Sequence, residues 1–470
     1  MLLALVFPSS GAHDFEYCKN SIKQWASSSL HSDTKNGHIL KDLLFFLHVP
    51  RTGGRTYFHC FLKKLYSSDL ECPRSYDKLR FDPRKPDCRL LATHDDYSMM
   101  SKLPREQASV VTILRDPIER VFSTYEFSVE VAARFLVHPN LTSVIRMSKR
   151  MRSKSGGIST LEIWPWKYLV PWMRGDLFSR RDARKRRGPP YFYGNDSYDM
   201  EEIVMPLHDY INHPIALDLV HNGATFQVAG LTNNSNICEA HELRQCVITH
   251  PILGKYVLEV AKKRLDDMLY VGITEDHRES ATMFANVVGA QVISQLMAST
   301  VNNSNITGTE QGPPFSDLSI NPTDDQDNGS TTEAKSKNMT VGKLMESYET
   351  CISSLRSSQS ERRTASLKKI SPANFTKEAR RRVPDNELKE IISLNSLDME
   401  LYKYAKEIFQ KQHQIMEQNL HDSVTPEKDR MMLANIIPAS TIVYFLGFIF
   451  LVFFICFFKS AKRRISKIKI

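Results

Sequence analysis

LLFFLHVPRTGGRTY, residues Leu43–Tyr57, runs from an unbroken apolar stretch through His48, Pro50 and Arg51 to the pair Gly53-Gly54 and then into residues of helical character. The apolar stretch predicts a buried strand, and the glycine pair predicts a tight loop opening onto a helix. At such a helix N-terminus the backbone N–H groups and the helix dipole hold anions, phosphate above all. These residues therefore predict an α/β protein with an anion site at the carboxyl end of a strand.

A second segment, SVVTILRDPIERVFSTYEF at Ser109–Phe127, has the same form. Val110–Leu114 reads as a buried strand that Arg115-Asp116-Pro117 stops, with Pro117 suited to the first helical position. Arg115 then lies at the strand end, and Ser123 two turns into the helix. In open α/β sheets ligands bind outside the carboxyl ends of strands, so Arg115 and the Arg51 loop are expected to face one crevice. Two neighbouring anion sites suit a ligand with two separated phosphates.

The chain has 470 residues and a formal net charge of +9, concentrated at Lys149–Lys154, Arg180–Arg187, Arg362–Arg382 and the last dozen positions. A basic surface favours acidic partners without naming them. From 42 to 292 apolar runs alternate with helical patterns, which predicts an α/β core with a central parallel sheet flanked by helices. Residues 297–341 are rich in Asn, Ser, Thr, Gly, Pro and Asp and lack apolar periodicity, the composition of a disordered linker. Residues 343–420 return to helical patterning, with Leu388, Ile391, Ile392, Leu394, Leu397, Leu401, Tyr404 and Ile408 spaced to pack back on the core.

Ile436–Phe458 carries no charge and exceeds the roughly 20 residues that cross a bilayer as a helix. The basic tail 459–470 behind it belongs on the cytoplasmic side, which sends the body of the protein to the secretory lumen. MLLALVFPSSGA, residues 1–12, reads as a weak or truncated signal peptide, because its apolar stretch is short and it has no basic start. N-x-S/T triplets at Asn140, Asn195, Asn233, Asn302, Asn305, Asn328, Asn338 and Asn374 agree with a glycosylated lumenal protein. Of the 8 cysteines, Cys456 is inside the apolar span. Cys72 with Cys88, and Cys238 with Cys246, are spaced to close short loops in an oxidising compartment, and an odd number outside the span leaves one cysteine over. No Cys/His spacing indicates a metal site.

The pair HVPRTGGRT and ILRDPIERVFSTYEF resembles the 5′-phosphosulfate and 3′-phosphate loops of sulfotransferases that use adenosine 3′-phosphate 5′-phosphosulfate, PAPS. LATHDDY (Leu91–Tyr97), VAKKRLDDMLYVGITE (Val260–Glu275) and LNSLDMELYKYAKEIFQ (Leu394–Gln410) resemble the heparan sulfate 6-O-sulfotransferase branch. The lumenal body, the C-terminal anchor and the block WPWKYLVPWMRGDLF (Trp164–Phe178) are similar to plant tyrosylprotein sulfotransferases. The resemblance implies a sulfotransferase core of P-loop-like form, PAPS as donor, no metal, a Golgi membrane setting with a single pass, and acidic tyrosine-containing secreted peptides as acceptors. Residue by residue it implies cofactor contacts from Arg51, Thr52, Gly53, Gly54, Arg55, Thr56 and Tyr57 at the 5′ end and from Arg115 and Ser123 at the 3′-phosphate. Members of the family commonly carry Lys where this chain has Arg51, and a guanidinium fork is not equivalent to a lysine point charge. His94 matches the family's general base, with Asp95 or Asp96 available to orient it.

That chemistry is also what the reaction demands. Sulfuryl transfer is an in-line displacement in which positioning and neutralisation of leaving-group charge do most of the catalysis, which gives Arg51 a catalytic as well as a binding part. A tyrosine phenol has a pKa of about 10, so a base must take its proton as the oxygen attacks. Read singly, the elements are bland: TGG beside an arginine is more often a turn, Ser123 a helix hydroxyl, Trp164, Trp166 and Trp172 core aromatics, and Arg180–Pro190 a solvated loop. Their combination carries the reading. Two others stand beside it, a glycan 6-O-sulfotransferase and a catalytically silent, membrane-anchored glycan-binding protein. The missing GxxxxGK[ST] and the lack of a second acidic motif beside the loop argue against a metal-dependent NTPase.

Overall fold

Leu43–Leu47 (β1), Leu90–Thr93 (β2) and Ala108–Leu114 (β3) form strands, followed by the two-residue β4 (Tyr198–Asp199), by β5 (Tyr270–Ile273) and by the two-residue β6 (Ile370–Ser371). They come from a computed structural model that describes residues 14–31, 39–72, 88–103, 107–137, 198–199, 204–304, 339–368, 370–371 and 375–434, with Tyr168, Pro171 and Arg186. The main sheet is fully parallel in the order β2-β1-β3-β5. β1, β3 and β5 are buried along their whole length, as expected where helices cover both faces of a parallel sheet. β4 and β6 make a separate small ladder.

Because the strands are parallel, residues 48–53, 94–96, 115–116 and 274–276 all leave the sheet at one edge. β1 has β2 on one side and β3 on the other, so the loops after β1 and β3 flank the point where the strand order reverses. The two predicted anion segments are therefore neighbours.

Behind the loop after β1, the helix Gly54–Tyr57 continues through a π turn, Phe58–Leu62, to Lys63–Leu65. Its buried face meets Phe284 and Tyr348; Phe61 stacks on Tyr348 with ring centroids 4.2 Å apart. Cys60 in the π turn is bonded to Cys351 on the helix Val341–Leu367, which fastens the loop helix to the segment beyond the polar linker.

The other disulfides are Cys72–Cys88, as spaced, and Cys18–Cys246. The expected Cys238–Cys246 pair is thus corrected: Cys246 faces inward from the helix Ala240–Thr249 and meets Cys18 on Phe15–Leu30, while Cys238 is exposed and free. Phe15–Leu30 carried no clear sequence signal. It buries Cys18, Ile22 and Ala26, spaced four residues apart on one face.

Two boundaries differ from the sequence reading. The helix Ala290–Ser304 runs into the stretch assigned to the linker, because Gln295, Leu296, Met297 and Ala298 are good helix formers. The C-terminal pattern forms two helices, Asp385–Leu394 and Ser396–Ala434, broken at Asn395, whose side-chain amide accepts from the Asn222 N–H. Ile391, Leu401 and Ile408 are buried as predicted, whereas Ile392 is exposed and Tyr404 reaches Asp266 at 2.8 Å.

The chain divides into two units, Met1–Gln410 and Lys411–Ile470. Within the second, the described residues are helical, with His413 Nδ1 3.6 Å from a Glu417 carboxylate oxygen. The predicted span 436–458, the tail 459–470, the segment 1–12, the Trp164–Phe178 block apart from Tyr168 and Pro171, and Asn140, Asn195, Asn305, Asn328, Asn338 and Asn374 lie outside the described residues. Among the described residues one helical stretch, His277–Ala298, is long and apolar enough to cross a membrane, with mean hydropathy 1.2. Its Ala281, Phe284, Val288 and Val292 are buried in the first unit, the pattern of a core helix.

Candidate active site

Arg51 adopts a left-handed backbone, φ 69°, which a non-glycine residue takes only where its surroundings impose it, and Gly53 follows at φ 84°. Thr52 is buried; its hydroxyl donates to the Val49 carbonyl at 2.9 Å, and its own carbonyl accepts from the Thr274 hydroxyl at 2.8 Å. Thr274, at the exit of β5, also donates to Leu114 at the exit of β3 and so ties three strand ends together. Gly54 has no room for a side chain: a Cβ there would lie 2.1 Å from the His48 ring.

The loops after β1 and β3 meet directly. The Arg51 Nε donates to the Ser123 hydroxyl at 3.1 Å, its guanidinium lies over the Phe127 ring at 4.2 Å, and Arg115 donates to the Arg51 carbonyl at 3.3 Å. Burial pushes the Arg51 guanidinium down to about 10, with Arg115 adding to the effect and Glu130 opposing it. Burial likewise lowers Arg115. Both cations are short of solvent, a condition that a bound anion would relieve.

Arg115 is held by carboxylates meanwhile, Glu119 at 3.3 Å and Glu275 at 3.7 Å. Glu275 also accepts from the Asp116 N–H and from the Tyr402 hydroxyl at 2.8 Å. Asp116 caps the helix Pro117–Val137 through the N–H groups of Ile118 and Glu119. On that helix Glu119, Ser123, Glu126 and Glu130 share one face. Arg380 covers it with a bidentate pair to Glu126, both distances 2.6 Å, and a further bond to Glu119; Arg363 adds a contact to Glu126 at 3.3 Å. The 377–381 segment, read from sequence as part of a basic cluster, thus neutralises the carboxylates beside Arg115 and Ser123.

His94 stands at the end of β2. Its ring stacks on His48 with centroids 4.1 Å apart, and its Nδ1 lies 3.0 Å from the His48 carbonyl oxygen. A carbonyl only accepts, so Nδ1 carries the proton and Nε2 is the basic nitrogen. Asp95 and Asp96 make bonds of their own. Asp95 accepts from Thr93 and Asn234. Asp96, fully buried, caps the turn Tyr97–Ser101 and accepts from Ser98 and Thr232. A backbone carbonyl at the exit of the neighbouring strand meets Nδ1 of His94 and orients the ring.

Of the remaining expected contacts, Arg55 and Thr56 are half-buried on the first turn of the loop helix. Tyr57 lies on the same turn, and its ring is 4% exposed and packs against Phe61 and Phe284, on the core side of the loop. Asn233 is exposed, and its amide nitrogen donates to Asp218. No group of metal-ligating side chains occurs among the described residues.

Burial holds His48 well below the usual 6.5, helped by His94 and Arg51, and burial also lowers His221 and His277. A histidine kept neutral in the fold contributes stability that is fully present above its unfolded pKa and is lost as pH falls from there towards the folded value. Denaturant stability should therefore drop between pH 7.5 and pH 5.5, with His48 adding at most about 1.4 kcal/mol per pH unit. A flat profile over that range contradicts the assignment of these rings as neutral.

The parallel sheet thus presents at its carboxyl edge two adjoining arginine-bearing loops, with His94 at the same edge. No protein-family model matches the chain. Among curated proteins, protein-tyrosine sulfotransferase of Arabidopsis thaliana is 54% identical over 495 aligned positions, which take in 100% of this chain and 97% of that protein. The chain belongs to the protein-tyrosine sulfotransferase family.

Proposed function

We propose that this chain transfers the sulfuryl group of PAPS to tyrosine hydroxyls of secreted peptides, with His94 as general base. The observation that carries this reading is the junction of the two loops, Arg51 on Ser123 at 3.1 Å and Arg115 on Arg51 at 3.3 Å, at the same sheet edge as His94. When bound, PAPS supplies the activated sulfuryl group. Arg51, Gly53, Gly54, Arg55 and Thr56 hold its 5′ end through charge and backbone N–H groups, and Arg115 with Ser123 holds the 3′-phosphate. Thr52 fixes the loop through Val49 and Thr274. Arg51, bent onto Ser123, bridges the two anion positions and neutralises charge on the leaving side. Nε2 of His94 accepts the phenolic proton.

Acidic residues beside the acceptor tyrosine complement the chain's positive charge. Three disulfides in the described residues, Cys18–Cys246, Cys60–Cys351 and Cys72–Cys88, support an oxidising lumen, and the apolar span 436–458 supports a single-pass anchor in the Golgi membrane with the body lumenal.

The product nucleotide, adenosine 3′,5′-bisphosphate, tests the two-site reading without chemistry. It should raise the melting temperature more than adenosine 5′-phosphate does. Arg115→Ala should weaken its binding about 10- to 100-fold, the loss of a charge-assisted bond, and bring it near the 5′-monophosphate. Equal binding of both nucleotides by the unaltered protein contradicts the reading.

A further inference from the structure

Gln227 is fully buried in the short helix Gly223–Val228, and its amide nitrogen lies within hydrogen-bond distance of three backbone carbonyls: His48 at 3.1 Å, His94 at 3.0 Å and Asp95 at 3.3 Å. These acceptors belong to the exits of β1 and β2, the strands that deliver the anion loop and the base. Its Oε1 finds no donor among the described residues. A leucine or methionine of the same size would leave these carbonyls without that donor, so Gln227 acts here through its amide and not through its volume. Its helix is itself anchored, because Asp398 accepts from the N–H groups of Ala224 and Thr225.

We infer that Gln227 is a positioning residue for the proton transfer: it fixes the His48 carbonyl that receives the His94 Nδ1–H and thereby makes Nε2 the basic nitrogen. The inference rests on the reading of His94 as general base. Two amide hydrogens serve three oxygens that would otherwise repel one another, so the anion loop and the base loop are held at one separation. The carbonyl also raises the basicity of His94, since the Nδ1–H bond strengthens when the ring becomes a cation. Without Gln227, the base would lose both its fixed tautomer and part of its proton affinity.

The test is the pH dependence of turnover of the full-length protein with PAPS and an acidic tyrosine peptide. Gln227→Met should lower kcat about 10- to 100-fold, leave KM for PAPS within about twofold, and move the acid limb of the kcat profile to lower pH. Gln227→Asn keeps the amide but shortens its reach, and it should shift the limb in the same direction, which keeps the test in force should the methionine variant not fold. An unshifted acid limb, or a loss of activity uniform in pH, overturns the inference, because a merely structural glutamine would not move the limb. His94→Ala is run alongside. If it is inactive and the Gln227 variants leave the limb in place, only the positioning role fails; if it keeps normal turnover, the base reading fails and the inference with it.

Discussion

Replacing His94 with Ala should lower turnover by about 10²- to 10⁴-fold, the usual contribution of a general base, while adenosine 3′,5′-bisphosphate binds within about twofold of the unaltered protein. The split follows from geometry. His94 leaves β2 on the side of β1 away from β3, and its ring meets His48 and the His48 carbonyl. Arg51, Ser123 and Arg115 bond to one another and not to that ring. Removing the imidazole thus removes the proton acceptor and leaves the arginines in place. Turnover and a nucleotide thermal shift measured on the same preparation decide it. Near-normal turnover of the variant contradicts the base assignment, and loss of nucleotide binding contradicts the separation of roles.

The largest effect on stability is expected at Asp398. It pairs with Arg120 at 2.8 Å, both side chains 1% exposed, and it accepts from the Thr225 N–H and hydroxyl at 2.7 Å each. Asp398→Ala would leave a buried guanidinium without its counter-ion and the helix Gly223–Val228 without its cap. The cost should be about 3–5 kcal/mol, or a fall in melting temperature of about 4–6 °C for a unit of this size. Asp398→Asn keeps an acceptor and should cost less. Combined with Arg120→Met it should cost less than the sum of the two single changes, since the pair is in direct contact. A melting temperature for Asp398→Ala within about 1 °C of the unaltered protein, roughly 1 kcal/mol or less, contradicts this account. The LNSLDMELY block thus acts through packing: Asp398 holds the helix that carries Gln227, and Tyr402 holds the Glu275 that faces Arg115.

The sheet edge was legible because it is written locally. Apolar runs that stop at Arg115-Asp116-Pro117 or at a glycine pair announce strand ends, and side chains near strand ends in a parallel sheet share an edge. Long-range pairings had no such signal. Cys18–Cys246 and Cys60–Cys351 span sequence separations of 228 and 291, so spacing favoured the nearer Cys238, wrongly. Adjacency in sequence points from His94 to Asp95 and Asp96, whereas the contact with the His48 carbonyl on the next strand has no sequence signature. Gln227 lies in GATFQVAG, where nothing marks it. Arg363 and Arg380 stand out in the sequence only as members of the basic cluster Arg362–Arg382. The face formed by Glu119, Ser123, Glu126 and Glu130 could have shown that cations were needed there, since an acidic stripe beside a phosphate site must be neutralised.

The most direct measurement of the central claim uses the full-length protein, PAPS labelled in the sulfuryl group, an acidic tyrosine peptide and desulfated heparan in one reaction. Label should appear on the peptide, depend on the tyrosine hydroxyl, and vanish with His94→Ala. Label on the polysaccharide alone, or on neither acceptor, would contradict it.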